Sequence, residues 1–169
     1  MKKILIGIKI CFLILLSDQY IYASPKYLGP SEKPCIINDK YCGAYSVWHT
    51  LQYCGLREPI ETLVKEMQIE QKHSSSIADV VETLKRHGIS ADAVKINLNK
   101  LDKIDKPFIP YTRMPHNTSL GHLFLCIPNN YKQIIILDGK RPPSVIDLDV
   151  LLNNIPKGWD GTSILVNGP

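Results

Sequence analysis

The chain has 169 residues, which is enough for one domain with a substantial hydrophobic core. Its composition of 44% hydrophobic and 21% charged residues is typical of a folded globular protein and excludes a disordered chain. The formal net charge of +4 comes in part from Lys2, Lys3 and Lys9, and no basic cluster follows them. We therefore expect no nucleic acid partner.

The first 23 residues differ from the rest of the sequence. A basic start, MKK, precedes the apolar run ILIGIKICFLILL and then YAS, an order typical of a secretory signal. The run is short for a membrane span. We interpret residues 1–23 as a signal peptide or N-terminal anchor, the alternative being an apolar first element of the fold, and residues 24–169 as one domain. The expected location is secreted, periplasmic or membrane-anchored outside the cytoplasm, with membrane association through this segment.

Helices are predicted in the first half of the domain. CGAYSVWHTLQYCG has apolar residues at helical spacing and ends at Gly55. PIETLVKEMQIEQK has an apolar stripe and predicts a second helix. SSIADVVETLKRHG predicts a third, with Ser76 and Asp79 in a pattern that resembles a capping box and Gly88 at the end.

The second half of the domain has the pattern of strands. ISADAVKI, FIPYTR and GTSILV each predict one strand, and HLFLCIP and QIIILDG predict an antiparallel hairpin around NNYK. IDLDVLLNNI predicts a short helix. Helices first and strands later favour an α+β domain in which the N-terminal helices pack on one side of a C-terminal antiparallel sheet.

Five cysteines are present, and Cys11 lies in the N-terminal apolar run. The others, Cys35, Cys42, Cys54 and Cys126, allow three disulfide pairings in an exported chain. The sequence contains no C-x-x-C, so we do not expect a structural zinc site, and we expect no other metal or cofactor.

Cys42 is a candidate nucleophile. It starts the first predicted helix, where free backbone N–H groups and the helix dipole favour a thiolate, and Gly43 would let a substrate backbone approach. The alternative is half of a disulfide or a small buried residue. A bond to Cys54 is not expected, because about 18 Å separates the two ends of the helix, whereas a bond to Cys35 would close only a short loop.

A thiol nucleophile also needs a base, and the five histidines differ in their suitability. His49 lies in the same helix as Cys42, about 10 Å further along its axis, which places it too far away. His73 and His116 lie in polar loops and His87 lies at a helix end. His122 opens the apolar strand GHLFLC, where a polar residue has either a function or a structural partner.

The base in turn needs a group that orients it. Asp138 ends QIIIL, so in the predicted hairpin it would neighbour His122 across the strands. Its carboxylate could accept a hydrogen bond from one ring nitrogen and leave the other nitrogen for the thiol. The alternative interpretation of Asp138 is an ordinary Asp-Gly turn residue.

The order YCGAYSVWHTLQYCG, SSIADVVETLKRHGI, GHLFLCI, IIILDG and WDGTSILV resembles the cysteine peptidase domain that removes double-glycine leaders from bacteriocin precursors. The resemblance spans about residues 35–166. It implies a papain-like fold and a thiol-dependent peptidase that acts on a peptide or protein substrate. It also implies Cys42 as nucleophile, His122 as general base and acid, and Asp138 as the orienting residue.

The sequence departs from this family at the oxyanion donor. A glutamine usually stands about six residues before the cysteine, where this chain has Ile36, and Asn38 is the nearest amide side chain. Loss of one oxyanion donor costs on the order of a hundredfold in rate. Two alternatives to a peptidase therefore stay open: a catalytically degenerate domain that binds peptides, and another papain-like amidase.

Overall fold

The computed structural model describes residues 40–114, 117–129, 132–154 and 158–168. The predictions for the N-terminal segment, Cys35, Asn38 and His116 lie outside these residues. Within them, the helices are α1 (Cys42–Tyr53), α2 (Ile60–Glu66), α3 (Ile69–Lys72), α4 (Ile77–Arg86) and α5 (Leu148–Asn154), with a short 3-10 helix at Leu98–Lys103. The strands are β1 (Ser90–Lys95), β2 (Phe108–Met114), β3 (Asn117–Leu123), β4 (Leu125–Asn129), β5 (Gln133–Leu137), β6 (Ser144–Asp147) and β7 (Thr162–Gly168).

The termini of α1 and α4 follow the sequence signals. Gly55 and Gly88, which follow these helices, have positive φ angles of 79°, a conformation that glycine adopts without steric cost. The Ser76 hydroxyl accepts a hydrogen bond from the Asp79 N–H, and the Asp79 carboxylate accepts one from the Ser76 N–H, so the predicted capping box is confirmed.

The predicted second helix is wrong in one respect, because it is broken into α2 and α3 at Gln68. Gln68 has a left-handed φ of 55° although neither glycine nor proline marks the break. The break lets Ile69 be fully buried. On the same short helix, Glu70 accepts hydrogen bonds from the Tyr41 hydroxyl at 2.6 Å and from the Lys40 ammonium at 2.8 Å. Burial of Ile69 therefore outweighs the helical pattern here, and the exposed contacts of Glu70 link α3 to the residues just before α1.

The described strands form one antiparallel sheet in the order β1-β7-β2-β4-β5-β6, with β3 paired to β2 at its side. The predicted hairpin is confirmed as β4 and β5, with Leu125 opposite Leu137. The stretch HLFLCIP is not one strand, because Phe124 separates β3 from β4. The edge strand β6 and the separate β3 were not predicted.

Both faces of the sheet are covered. Ile109, Leu125 and Ile164 pack with α1 and α4 in one hydrophobic cluster. The neighbouring residue Phe108 points to the other face, where it stacks on Trp159 at a ring-centroid distance of 6.1 Å. The alternation expected of strands thus supplies two cores. The predicted α+β fold is confirmed, and α5 and the 3-10 helix add a layer on the second face.

Candidate active site

The start of α1 presents Cys42 as its first helical residue. The side chain is a buried free thiol, and Tyr41 at the N-cap gives the helix no side-chain hydrogen bond. The first backbone N–H groups of a helix lack intrahelical acceptors, so this end favours negative charge. A thiolate at Cys42, or an oxyanion beside it, would occupy the favourable end of the dipole.

Gly43 has a packing role that the sequence did not reveal. A Cβ atom at this position would collide with the Ser75 side chain and would also press on Val80. The absence of a side chain therefore lets the segment before α4 pack directly against α1. The expected approach of a substrate backbone is not needed to explain this glycine.

His122 and Asp138 meet where two strands end. His122 lies in β3 and pairs with Thr112 of β2, whereas Asp138 follows the last residue of β5. The His122 Nε2 atom lies 2.9 Å from Asp138 Oδ1. The contact forms just beyond the last paired residues of β4 and β5, so these two side chains are neighbours although they are not direct cross-strand partners.

The electrostatics of His122 connect it to Cys42. Burial by itself lowers the pKa of His122, but the hydrogen bond to Asp138 and the interactions with Asp138 and Cys42 outweigh burial and raise that pKa from 6.5 to about 9. Since Nε2 bonds Asp138, Nδ1 is the nitrogen left for the thiol; this buried atom has no hydrogen-bond partner among the described residues. A raised pKa favours the imidazolium form, which can stabilise a thiolate and later donate a proton.

Arg141 holds the second oxygen of the same carboxylate, a contact that the sequence analysis missed. Its guanidinium donates to Asp138 Oδ2 at 3.1 Å, and its backbone N–H donates to the Asp138 carbonyl at 3.2 Å. Residues 138–141 therefore form a closed turn, and Gly139 within it has a φ of +59°. The sequence signal for this contact was the i,i+3 spacing of Asp138 and Arg141 in DGKR.

His49 is a second residue that sequence reasoning set aside. It is too far along α1 to serve Cys42, as expected, but its Nε2 atom lies 2.9 Å from the Gly139 carbonyl oxygen. Burial lowers the pKa of His49, so the ring is neutral at pH 7. The sequence signal for this contact was the spacing of His49 from Cys42, because residues seven apart lie on the same face of a helix.

A groove of about 980 Å³ runs beside these residues, and neither Cys42 nor His122 lines it. Its wall includes Trp48, His49 and the turn at Gly139. Arg57, Lys140 and Arg141 contribute positive charge, and none of the described residues that line the groove is acidic.

Other expectations concern metals, membranes and disulfides. Among the described residues, no cluster of three or more His, Cys, Asp or Glu side chains could hold a metal ion. No helix in the described ranges is long and apolar enough to span a membrane. Cys42, Cys54 and Cys126 are free thiols, and Cys54 packs against the core beyond the far end of α1. A Cys42–Cys54 disulfide is accordingly absent.

Helices packed on an antiparallel sheet in this way are the fold of papain-like cysteine peptidases. The sequence matches the model of the peptidase C39 family over residues 36–168, so the chain belongs to that family. Its class is that of cysteine peptidases resembling the double-glycine leader peptidases, as the sequence predicted. A comparison with curated protein sequences finds no match.

Solved structures share the fold at low sequence identity. The peptidase domain of Streptococcus ComA, a bifunctional ABC transporter in quorum sensing, is 18% identical with a TM-score of 0.62, over 79% of this chain and 95% of that one. A double-glycine-motif protease of an AMS/PCAT transporter, solved with its leader peptide, is 17% identical with a TM-score of 0.60, over 79% and 88%. The peptidase C39-like domain of a Vibrio parahaemolyticus toxin secretion ATP-binding protein is 18% identical with a TM-score of 0.57, over 76% and 97%.

Proposed function

We propose that the chain hydrolyses peptide bonds, with Cys42 as nucleophile, His122 as general base and acid, and Asp138 as the orienting residue. One observation carries the proposal. Nε2 of His122 lies 2.9 Å from Asp138, its buried Nδ1 has no hydrogen-bond partner among the described residues, and Asp138 and Cys42 together raise the pKa of the ring. Three segments far apart in sequence supply these groups, which fits the requirement of a thiol nucleophile for a base and for a residue that orients the base.

The first half of the reaction forms a thioester. The Cys42 thiolate attacks the carbonyl carbon of the peptide bond, and the imidazolium of His122 supplies the proton from Nδ1 to the leaving amine. The C–N bond then breaks, and the new S–C bond remains in the thioester. The raised pKa of His122, about 9, keeps that proton available at neutral pH.

The second half regenerates the thiolate. Neutral His122 takes a proton from water, and the oxygen attacks the thioester carbon, which releases the new carboxyl group and restores the thiolate. The Asp138 carboxylate stays bonded to Nε2 throughout, so it stabilises the imidazolium each time it forms.

An oxyanion forms in both halves and needs hydrogen-bond donors. The backbone N–H of Cys42 is one donor in this proposal, since it lies in the first turn of α1. We propose Asn38, the amide residue nearest before Cys42 in the sequence, as the second donor in place of the glutamine that such peptidases use.

The proposed substrate is a peptide or a protein with an exposed, extended segment. The related AMS/PCAT protease was solved with a leader peptide, which supports a peptide ligand of this kind. The N-terminal basic and apolar residues support a location outside the cytoplasm, either exported or membrane-anchored. A substrate encountered there differs from a leader that is cut inside the cell.

An electrophilic peptide that traps thiolates tests the proposal directly. We expect the full chain to be labelled at Cys42 in reductant, with labelling lost in Cys42→Ala. Cys54→Ala is the matched control at the other end of the helix, because burial raises the pKa of the Cys54 thiol and makes it a poor nucleophile. Equal labelling of the Cys42→Ala protein would contradict the proposal.

A second candidate function is peptide binding without cleavage. It is favoured by Ile36, which stands where the family has its oxyanion glutamine. This function predicts measurable affinity for a peptide and no turnover, whereas the peptidase predicts Cys42-dependent turnover. An amidase with the same residues would cleave a non-peptide amide faster than any peptide.

A further inference from the structure

We propose that His49 is a positioning residue that holds the turn carrying Asp138 against the helix carrying Cys42. This inference rests on the proposed function for its kinetic consequence. The structural basis is a hydrogen bond between Nε2 of His49 in α1 and the carbonyl of Gly139, 2.9 Å away, in the residue after Asp138.

The direction of this hydrogen bond fixes the state of the ring. A carbonyl oxygen only accepts, so Nε2 of His49 must carry the hydrogen. Burial lowers the pKa of His49, which keeps the ring neutral at pH 7. The buried ring also packs edge-on against Trp48, with centroids 4.9 Å apart. His49 is therefore a neutral, oriented donor and is not a second base.

The contact completes the restraints on Asp138. One carboxylate oxygen bonds His122, the other bonds Arg141, and the backbone of the next residue bonds His49. The first two restraints fix the carboxylate relative to the sheet and the turn. His49 is the described side chain that hydrogen-bonds this turn to α1, and α1 also begins with Cys42.

Two substitutions separate the hydrogen bond from the packing. His49→Phe keeps an aromatic ring and removes the donor. His49→Gln restores a donor, because the amide nitrogen of glutamine stands about as far from Cα as Nε2 of histidine. The matched control is His87→Phe, which breaks a comparable 2.9 Å contact with Glu66 away from the site.

The readouts are peptide turnover by the full chain and the pKa of His122 measured by NMR. In His49→Phe we expect kcat to fall about tenfold, the effect of one neutral hydrogen bond. We expect the pKa of His122 to fall below its wild-type value of about 9, because Asp138 is held less firmly. His49→Gln should recover most of both values, and His87→Phe should leave both unchanged.

The inference fails if His49→Phe keeps kcat within twofold and the pKa of His122 unchanged, or if His49→Gln is as impaired as His49→Phe. Should no variant of the protein turn over a peptide, the proposed function fails, and the pKa of His122 still decides the role of His49. If His49→Phe does not fold, the NMR spectrum of the wild type tests the inference. Nε2 must then be the protonated nitrogen of His49, and protonation at Nδ1 alone would overturn the inference.

Discussion

The contact between His122 and Asp138 makes the stability of the protein depend on pH, and Asp138→Asn should remove most of that dependence. His122 is 2% exposed, and its pKa is raised from 6.5 in the unfolded chain to about 9 in the fold. The folded state thus binds a proton more tightly than the unfolded state. The stabilisation is fully present below pH 6.5 and is lost as the pH rises through 9.

The size of the effect follows from the separation of the two pKa values. Each pKa unit corresponds to about 1.4 kcal/mol, so the free energy of unfolding should fall by about 3 kcal/mol between pH 6.5 and pH 9. An asparagine at position 138 removes the negative charge that favours the imidazolium, so most of this slope should disappear.

Urea unfolding at several pH values between 6 and 9.5 measures the free energy of unfolding for each variant. The comparison between the wild type and Asp138→Asn cancels the titration of the other groups. Asp160→Asn is the control, because Asp160 is an exposed carboxylate paired with Lys95 and titrates far below this range. A wild-type stability that is flat from pH 6.5 to 9, or the same slope in Asp138→Asn, would refute this account of His122.

Three further outcomes test the surroundings of the site. Gly43→Ala should lower the free energy of unfolding by about 1–3 kcal/mol because its Cβ meets Ser75, and adding Ser75→Gly should restore part of the loss; additive effects in urea unfolding would contradict this. Ser76→Ala should cost about 1 kcal/mol in the same assay through the lost capping box, and no measurable change would be evidence against it. Arg141→Met should lower kcat several-fold by freeing one oxygen of the orienting carboxylate, with Lys140→Met as the neighbouring control, and equal rates in the two variants would count against that role.

The sequence predicted the fold well where local signals and packing agree. Glycines follow both α1 and α4, and α4 also begins with a capping box. The apolar faces of both helices match the core, so the sequence predicted both helices. The break at Gln68 was missed because no glycine or proline marks it and burial of Ile69 in the core accompanies it. β6 was missed because its residues are half-buried at the edge of the sheet and show weak alternation.

The proximity of His122 and Asp138 could be predicted because both residues stand at the ends of apolar strands that form or adjoin a hairpin. His49 and Arg141 could not be assigned in the same way. Their contacts depend on how α1 lies over the end of β5 and on the shape of the turn after it. The His49 contact arises from packing between segments far apart in the sequence, and hydrophobic periodicity carries little information about it. The Arg141 contact is local and depends on the shape of its turn.

Cleavage of a peptide with an exposed, extended segment by the full chain in reductant tests the central claim most directly. The account predicts cleavage by the wild type and by Cys54→Ala, and none detectable with Cys42→Ala or His122→Ala. Cleavage by Cys42→Ala at the wild-type rate would contradict it.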